Sequence, residues 1–382
     1  MSRAGRYSFY EFFAGGGMAR AGLGAGWDCL FANDFDAAKA RSYRANWGDD
    51  DLREGDVWDL SPADLPGAAD LAWASSPCQD LSLAGARAGL TGGRSSAFWG
   101  FWKLMEGLAV EGRAPRAIVL ENVAGLLTSH AGADFAAVCK AFGAAGYVFG
   151  AVEVDAVRFL PQSRPRVFVI AVRDGAGMAA AGPGAFHGRA VQTAHEALPA
   201  ELKSRWRWWR LGEPATPNRK LADLLEPDRA VTWRTRAQTK LLLDQLSPLH
   251  HQRLDAARAS GERVVAAVYR RIRVEHGVKV QRAELRLDGL AGCLRTPAGG
   301  SSRQFLLIAE GKTIRSRRLT AREGARLMGL DDSYRLPKGE TEAFHLVGDG
   351  VAAPVVRFLA EQLIEPLLSG PLLSGSAIIA AE

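Results

Sequence analysis

The chain has 382 residues, 47% of them hydrophobic and 24% charged, with a formal net charge of +6. This length and composition are typical of a globular protein with one large α/β domain and a smaller one, or two domains of ordinary size. No uninterrupted apolar run reaches the ~20 residues of a membrane span and the start has no apolar signal core, so we expect a soluble cytoplasmic protein.

The four cysteines are scattered and form no C-x-x-C pair. This spacing predicts neither a metal site nor a disulfide framework. Each cysteine is therefore considered alone, and we interpret Cys29 and Cys139 as inert core residues.

Residues 7 to 173 alternate short apolar runs with helical periods, which predicts a doubly wound α/β sheet. The predicted strands are Ser8–Phe13, Cys29–Ala32, Leu71–Ala74, Ala117–Leu120, Val148–Val154 and Val167–Val172. Predicted helices between them include Phe35–Asn46, Ala97–Val110 and Asp134–Ala144.

The glycine-rich end of the first predicted strand is a candidate ligand site. Phe13, Gly15 and Gly17 follow that strand, and glycines there let the backbone approach a ligand at the sheet edge where open sheets bind nucleotides. Arg20 stands where G-x-G-x-x-G would need a glycine, which argues against a dinucleotide site.

One carboxylate follows the second predicted strand, and another follows a further short strand before residue 55. Asp34 suits a pair of ribose hydroxyls, the ring of Phe35 suits the face of an adenine, and Asp56 suits the adenine amino group. Taken singly, each has a plainer interpretation as a helix cap or a core aromatic residue. Together, in this order, they indicate an adenosine-containing cofactor.

Cys78 begins a loop, because Pro77 restricts the residue before it to an extended conformation. The following residues, 80–94, are glycine-rich and basic, as in a mobile lid that closes over a substrate. A reactive cysteine needs a positive neighbour that lowers the pKa of its thiol, and Arg164 and Arg166 are the candidates.

Glu121 ends an aliphatic strand. A carboxyl group buried there can keep its proton near neutral pH and donate a hydrogen bond. A helix cap or a salt bridge is the alternative interpretation for a lone glutamate.

The later half of the chain is basic and less regular. After a small-residue stretch at 175–184, typical of a linker, the α/β rhythm is lost between Val191 and Arg295. Residues 201–290 hold 19 Lys and Arg against 11 Asp and Glu, an excess of eight positive charges that could neutralise phosphates. A regular pattern resumes at Thr320, which with Glu323 forms a capping-box sequence.

These motifs resemble, in linear order, those of the DNA (cytosine-5)-methyltransferase family. The resemblance leaves only the central segment and the tail unmatched, and it rests on Phe13–Gly17, Pro77-Cys78-Gln79, Glu121-Asn122-Val123, Gln162-x-Arg164-x-Arg166, Arg318–Gly329 and Val347–Val355.

The resemblance implies a Rossmann-like S-adenosylmethionine-dependent methyltransferase sheet with helices on both faces, plus a smaller target-recognition domain. It assigns residues 1–175 to the catalytic and cofactor-binding domain, 176–305 to recognition of DNA, and 306–382 to the return of the chain to the catalytic domain and the tail. S-adenosyl-L-methionine would contact Phe13, Gly15, Gly17, Asp34, Phe35, Asp56, Pro77 and Val351.

The resemblance also implies a mechanism. Cys78 would add to carbon 6 of a cytosine flipped out of double-stranded DNA, while Glu121 holds the ring nitrogen N3 and the amine. Arg166 would contact the ring carbonyl oxygen and Arg164 would support the site. A cognate restriction endonuclease is a candidate second partner, and a monomer is expected.

Two residues depart from the family pattern: Asp349 stands where Asn is common, and Glu11 where Asp is common. Trp206, Trp208 and Trp209 could stack on bases, but core packing is the favoured interpretation. An RNA cytosine methyltransferase of the same fold and an inactive DNA-binding relative are the alternative functions. The basic segment favours DNA over RNA, and the intact reactive residues favour an enzyme.

Overall fold

A seven-stranded sheet of order β3-β2-β1-β4-β5-β7-β6 organises the first half of the chain, in a computed structural model that describes residues 6–77, 97–173, 178–215, 219–295 and 303–369. β7 is antiparallel to both of its neighbours, and the other neighbouring pairs are parallel. The predicted α/β fold class is confirmed. The strands are β1 Tyr7–Phe12, β2 Trp27–Asp34, β3 Leu52–Glu54, β4 Leu71–Ser75, β5 Ala117–Asn122, β6 Val148–Asp155 and β7 Pro165–Val172.

Helices cover both faces of this sheet, so its central strands are buried on both sides and consist of continuous apolar runs. Trp73 and Val119 lie in the core on one face, and Ala72 and Ile118 lie in the core on the other. The covering helices in this part of the chain include α1 Met18–Leu23, α2 Ala37–Trp47, α3 Ala97–Val110 and α4 Ala133–Ala144.

The start of α2 differs from the predicted start at Phe35. The side chain of Asp36 accepts hydrogen bonds from the backbone N–H groups of Ala38 and Lys39, at 2.7 and 3.1 Å. This cap makes Ala37 the first helical residue. Phe35 is therefore left outside the helix, at the edge of the sheet.

The tryptophan-rich segment packs against the seven-stranded sheet. Trp206 forms a bridge with Phe149 of β6, and the indole nitrogen of Trp209 donates to the carbonyl of Ile170 at 3.2 Å. Trp206 and Trp209 are 5% and 1% exposed, so the favoured core interpretation is confirmed for both. Packing thus continues past the predicted boundary at 176 through β8 Ala179–Ala180, α5 Arg189–Glu196, α6 Ala200–Arg205 and β9 Trp208–Trp209.

A second, antiparallel sheet of order β11-β10-β12-β13 follows. The strand Phe305–Glu310 is apolar and buried on both faces up to Ala309, and the apolar side chains of one face of the sheet pack with those of two helices around Val268, Leu307 and Leu242. The sheet crosses the predicted boundary at 305, because β12 pairs with β10. Its parts are α7 Arg236–Leu243, α8 Pro248–Arg258, β10 Val264–Glu275, β11 Val278–Arg286, β12 Phe305–Glu310 and β13 Thr313–Arg318.

The C-terminal helices return to the first sheet. The predicted capping box is confirmed, since the Thr320 hydroxyl accepts from the Glu323 N–H at 3.1 Å and the Glu323 carboxylate accepts from the Thr320 N–H at 3.0 Å. The run 340–369 is apolar enough for a membrane span, but 72% of its most apolar window is buried within the fold. These are core helices: α9 Ala321–Leu327, α10 Glu340–Asp349, α11 Ala353–Leu359, a π-helical turn Ala360–Ile364, and α12 Glu365–Ser369.

Candidate active site

Two of the predicted reactive residues, Glu121 and Arg166, come together at one edge of the seven-stranded sheet. The parallel strands β4 and β5 end there side by side, with Ser75 opposite Glu121. β7 runs the other way, so its beginning lies at the same edge, with Val167 opposite Asn122. The antiparallel direction of β7 therefore brings Arg166 to the carboxyl end of β5.

Glu121 and Arg166 form an ion pair at this edge. The Nε of Arg166 lies 3.1 Å from Oε1 of Glu121, and the two side chains are 16% and 7% exposed. Burial raises the pKa of Glu121, while Arg166, Arg164 and the side chain of Ser75 lower it in part. The net direction is upward, so this carboxyl group holds a proton at higher pH than an exposed glutamate does.

Arg164 is 2% exposed, and its guanidinium contacts backbone carbonyls. It donates to the carbonyl of Leu294 at 3.0 Å, and to those of Gly348 and Gly350 at 2.8 and 2.7 Å. One buried arginine thus ties two distant segments to the sheet edge. This placement indicates that Arg164 positions the walls of the site, while its neighbour Arg166 faces the glutamate.

Asn122 is a residue to which sequence analysis gave no role. Its side-chain amide donates to the carbonyl and the hydroxyl of Ser76, at 3.2 and 3.3 Å, and its oxygen accepts from the N–H of Val123 at 2.9 Å. It therefore fixes the end of β4 just before Pro77. Its position inside the motif Glu121-Asn122-Val123 was the available signal. Cys78 itself lies outside the described residues, as does the predicted lid at 80–94.

The glycine-rich loop after β1 has the backbone geometry expected of a ligand cradle. Phe13 has φ +56°, which is uncommon outside glycine, and Gly15 and Gly17 have φ +57° and +76°. A Cβ on Gly17 would lie 2.3 Å from the indole nitrogen of Trp47. The loop is held in place from behind, because Trp47 Nε1 and the Tyr334 hydroxyl both donate to the Gly16 carbonyl, at 2.9 and 2.8 Å.

The residues predicted for the adenosine lie beside this loop. One carboxylate oxygen of Asp34 accepts from the N–H of Gly15 at 2.7 Å, and the other accepts from the N–H of Asp36 at 2.8 Å. Phe35 comes next and is 68% exposed, which is unusual for phenylalanine and leaves its ring accessible to a ligand. Asp56 caps a short turn by accepting from the N–H of Trp58 at 3.1 Å.

These features fit an adenosine-containing cofactor. A carboxylate has about four acceptor positions, so Asp34 retains capacity for ribose hydroxyls after its two backbone contacts. Among the other predicted cofactor residues, Pro77 is exposed at the edge, whereas Val351 is only 3% exposed and packs in the core. Val351 can therefore contribute mainly by shaping the wall behind the site.

The two departures from the family pattern each have a partner in this chain. Asp349, at the end of α10, pairs with Lys39 of α2, with 2.7 Å between Oδ2 and Nζ. Glu11, on β1, is 1% exposed and accepts from the N–H groups of Ala19 and Arg20, at 3.2 and 3.3 Å. The longer side chain of Glu11 thus reaches the start of α1.

Glu11 predicts an unusual dependence of stability on pH. Burial raises its pKa from 4.5 to about 8. Between these values the native state keeps a proton that the unfolded state releases, so the free energy of unfolding falls as pH rises. The loss amounts to at most about 5 kcal/mol and is complete above pH 8. In Glu11→Gln, urea titrations from pH 4.5 to 9 should show a much flatter profile.

The exposed residue Glu262 supplies a control for this measurement. Glu262→Gln should follow the parent at every pH, because it removes the same group from the surface. A Glu11→Gln profile that runs parallel to the parent would contradict the assignment to Glu11.

Comparisons with known proteins agree with this geometry. Residues 7–365 match the protein family described as C-5 cytosine-specific DNA methylase. The chain is similar to the type II methyltransferase M.NlaX of Neisseria lactamica, with 26% identity over 94% of this chain and 96% of the relative. It is also similar to M.HhaI of Haemophilus parahaemolyticus, with 24% identity over 92% of each.

A solved structure of S. pombe Dnmt2 methyltransferase shares the fold, with a TM-score of 0.63 and 18% identity over 95% of this chain and 99% of that one.

Proposed function

The chain belongs to the C-5 cytosine-specific DNA methylase family, and from this premise we propose that it methylates carbon 5 of a cytosine flipped out of duplex DNA. The observation that carries the proposal is the buried Glu121–Arg166 pair. It lies beside the end of β4, where the chain continues into Pro77 and Cys78. A proton donor, a cation and a cysteine are the groups that covalent activation of a pyrimidine requires.

S-adenosylmethionine, when bound, supplies the methyl group. Phe35, Asp34 and the backbone of the Gly15–Gly17 loop would hold its adenosine part, with Asp56 beside the adenine amino group. The exposure of Phe35 and the positive φ angles of the loop support this assignment. Asp34 would accept from the ribose while keeping the loop in place.

In the proposed mechanism the thiolate of Cys78 forms a bond to carbon 6 of the cytosine. The electron pair of the ring double bond then becomes available at carbon 5, and Glu121 stabilises the charge that develops at N3 by donating its proton. Arg166 holds Glu121 in place and faces the ring carbonyl oxygen. Removal of the carbon-5 proton by a base lets the bond to Cys78 break and restores the aromatic ring.

The second sheet and the loops around it would bind the DNA. A base within a duplex cannot reach the edge of the first sheet, so the cytosine has to leave the stack at a cost of a few kcal/mol. The basic excess of residues 201–290 supports a polyanionic partner. We propose action in the cytoplasm as a monomer, with a cognate restriction endonuclease as a candidate partner.

Methyl transfer from labelled cofactor to duplex DNA and to transfer RNA tests this function. The parent is expected to label duplex DNA, and Cys78→Ser to lose activity by on the order of 10³-fold or more, since serine is a far weaker nucleophile. Cys29→Ser, a change in a half-buried thiol of β2, should retain parental activity.

Preferential labelling of transfer RNA would replace DNA as the proposed substrate. Parental rates in Cys78→Ser would rule out the covalent route. Base-resolution mapping of methylated cytosines in cells that express the chain should then give one recurring sequence.

A further inference from the structure

Two arginines stack on one aromatic ring at an end of the second sheet, and the charge of a third, Arg318, lies near both. Phe305 begins β12 and pairs with Arg318 on one side and with Val268 on the other. Arg270 is two residues beyond Val268, so it projects from the same face of the sheet. The Cζ atoms of Arg234 and Arg270 lie 4.8 and 4.9 Å from the centre of the Phe305 ring.

The positive charges of these arginines lie close together, and two of them, Arg234 and Arg318, have no carboxylate partner among the described residues. Burial lowers the pKa of Arg234, and the nearby charges of Arg270 and Arg318 lower it further. Within the part of the chain that the structure describes, no carboxylate forms an ion pair with Arg234 or Arg318. Nη1 of Arg234 is buried and has no hydrogen-bond partner among those residues.

The neighbouring arginines of the same sheet behave differently. Arg263 and Arg315 both contact Asp228, at 3.0 and 2.6 Å, and Arg271 contacts Glu284 at 3.1 Å. The fold thus neutralises cations nearby but leaves Arg234 and Arg318 uncompensated. Like charges held together in this way favour binding of an anion from outside the chain.

The position of the cluster connects it with the candidate active site. Gln304, the residue before Phe305, donates to the carbonyl of Gly292 at 2.8 Å. Two residues later, the carbonyl of Leu294 accepts from Arg164. An anion at the cluster would therefore lie on the end of the second sheet that is joined to the reactive edge, and the β12–β13 turn with Lys312 is at the opposite end.

We propose that Arg234, Arg270 and Arg318 bind a backbone phosphate of the DNA substrate. The proposal rests on the proposed function, since duplex DNA is the polyanion that this family acts on. Guanidinium groups suit phosphate because their planar N–H donors match its oxygens, and stacking on Phe305 fixes the orientation of two of them. A phosphate contact sets affinity and register and carries no sequence information.

The test measures the affinity for a fluorescent duplex as a function of salt concentration. Loss of one phosphate contact should lower the slope of log K against log salt by about one. Arg318→Gln is expected to show this change and weaker binding at low salt, with the same preference among duplex sequences. Arg234→Gln should do the same, and the double variant should lose little further slope, because both arginines bind the same phosphate.

Lys312→Gln provides the matched control, because it removes one exposed positive charge in the turn after Glu310, and Glu310 is five strand residues, or about 17 Å, from Phe305. Its slope should equal that of the parent. If Arg318→Gln and Lys312→Gln behaved alike, the cluster would not be a phosphate site, and if Arg318→Gln changed the preferred sequence, it would be a base reader. Parental binding of duplex DNA without methyl transfer would refute the proposed function and leave the cluster proposal standing.

Discussion

Glu121→Gln is expected to lower kcat for methyl transfer to duplex DNA by about 10²–10⁴-fold, the usual contribution of a positioned acid. Glutamine can still accept from Arg166 and from Ser75, but it cannot supply a proton as charge develops on the cytosine ring. Glu121→Gln also removes the carboxylate that faces the guanidinium of Arg166, so some loss in the free energy of unfolding is expected beside the loss of rate. Single-turnover rates and urea unfolding of the same preparation separate the two effects.

The pH dependence gives a second measure of the same group. Because the pKa of Glu121 is raised, its protonated form persists to higher pH than in an exposed glutamate, and the parental rate should fall as pH rises through that pKa. Glu121→Gln should lack this fall. The exposed residue Glu111 supplies the control, and Glu111→Gln should match the parent in rate and profile. Retention of parental rates by Glu121→Gln would show that the acid lies elsewhere.

The first sheet could be predicted from sequence because its strands are buried on both faces. Continuous apolar runs such as Ala117–Leu120 lie within the observed strands, and α3 has the predicted bounds Ala97–Val110. The predicted start of α2, Phe35, is two residues too early. The apolar side chain of Phe35 suggests a helical position, but the N-cap formed by Asp36 makes Ala37 the first helical residue.

The second sheet was not predicted, for a physical reason. β10 and β11 form a long hairpin with an exposed end, so arginines alternate with apolar residues such as Ile272 and Val274, which are 63% and 68% exposed. The pairing of β10 with β12 also joins segments far apart in the chain. The alternation in the exposed end of the hairpin marks no buried face, and the pairing with β12 has no local signal, so the expected boundary at 305 lies inside the sheet.

At the candidate site, residue types were predictable but their partners were not. The motifs identified Glu121 and Arg166, and the antiparallel β7 brings them together. Arg164 is predicted to lie near the cysteine and to support the site, but nothing in the sequence indicates that its guanidinium also contacts carbonyls more than a hundred residues away, at Leu294 and Gly348. Contacts between residues so far apart in the chain cannot be predicted from the spacing of residues within a motif.

The ion pair Arg317–Glu323 should give the largest loss of stability when one partner is neutralised. Both side chains are 1% exposed, and the two guanidinium–carboxylate contacts are 2.6 and 2.8 Å. Glu323→Gln leaves Arg317 as an uncompensated buried charge, so we expect a loss of about 3–5 kcal/mol in the free energy of unfolding, measured by urea titration. Glutamine still suits the capping position beside Thr320, so the loss should not come from the end of α9.

Adding Arg317→Met distinguishes the destabilisation caused by an unpaired buried charge from the stabilisation that the ion pair itself contributes. Each single variant leaves one buried charge without its partner, whereas Arg317→Met combined with Glu323→Gln leaves no unpaired charge. The double variant should therefore lose less free energy of unfolding than the sum of the two single variants, by about 1–3 kcal/mol.

The pair Arg326–Asp332 is the surface control. The side chain of Asp332 is 60% exposed, so Asp332→Asn should cost about 1 kcal/mol or less. Equal losses for Asp332→Asn and Glu323→Gln would contradict the argument. Because β13 carries Arg317 and α9 carries Glu323, a large coupling energy would also mean that this pair holds the second sheet to the helices that return to the first.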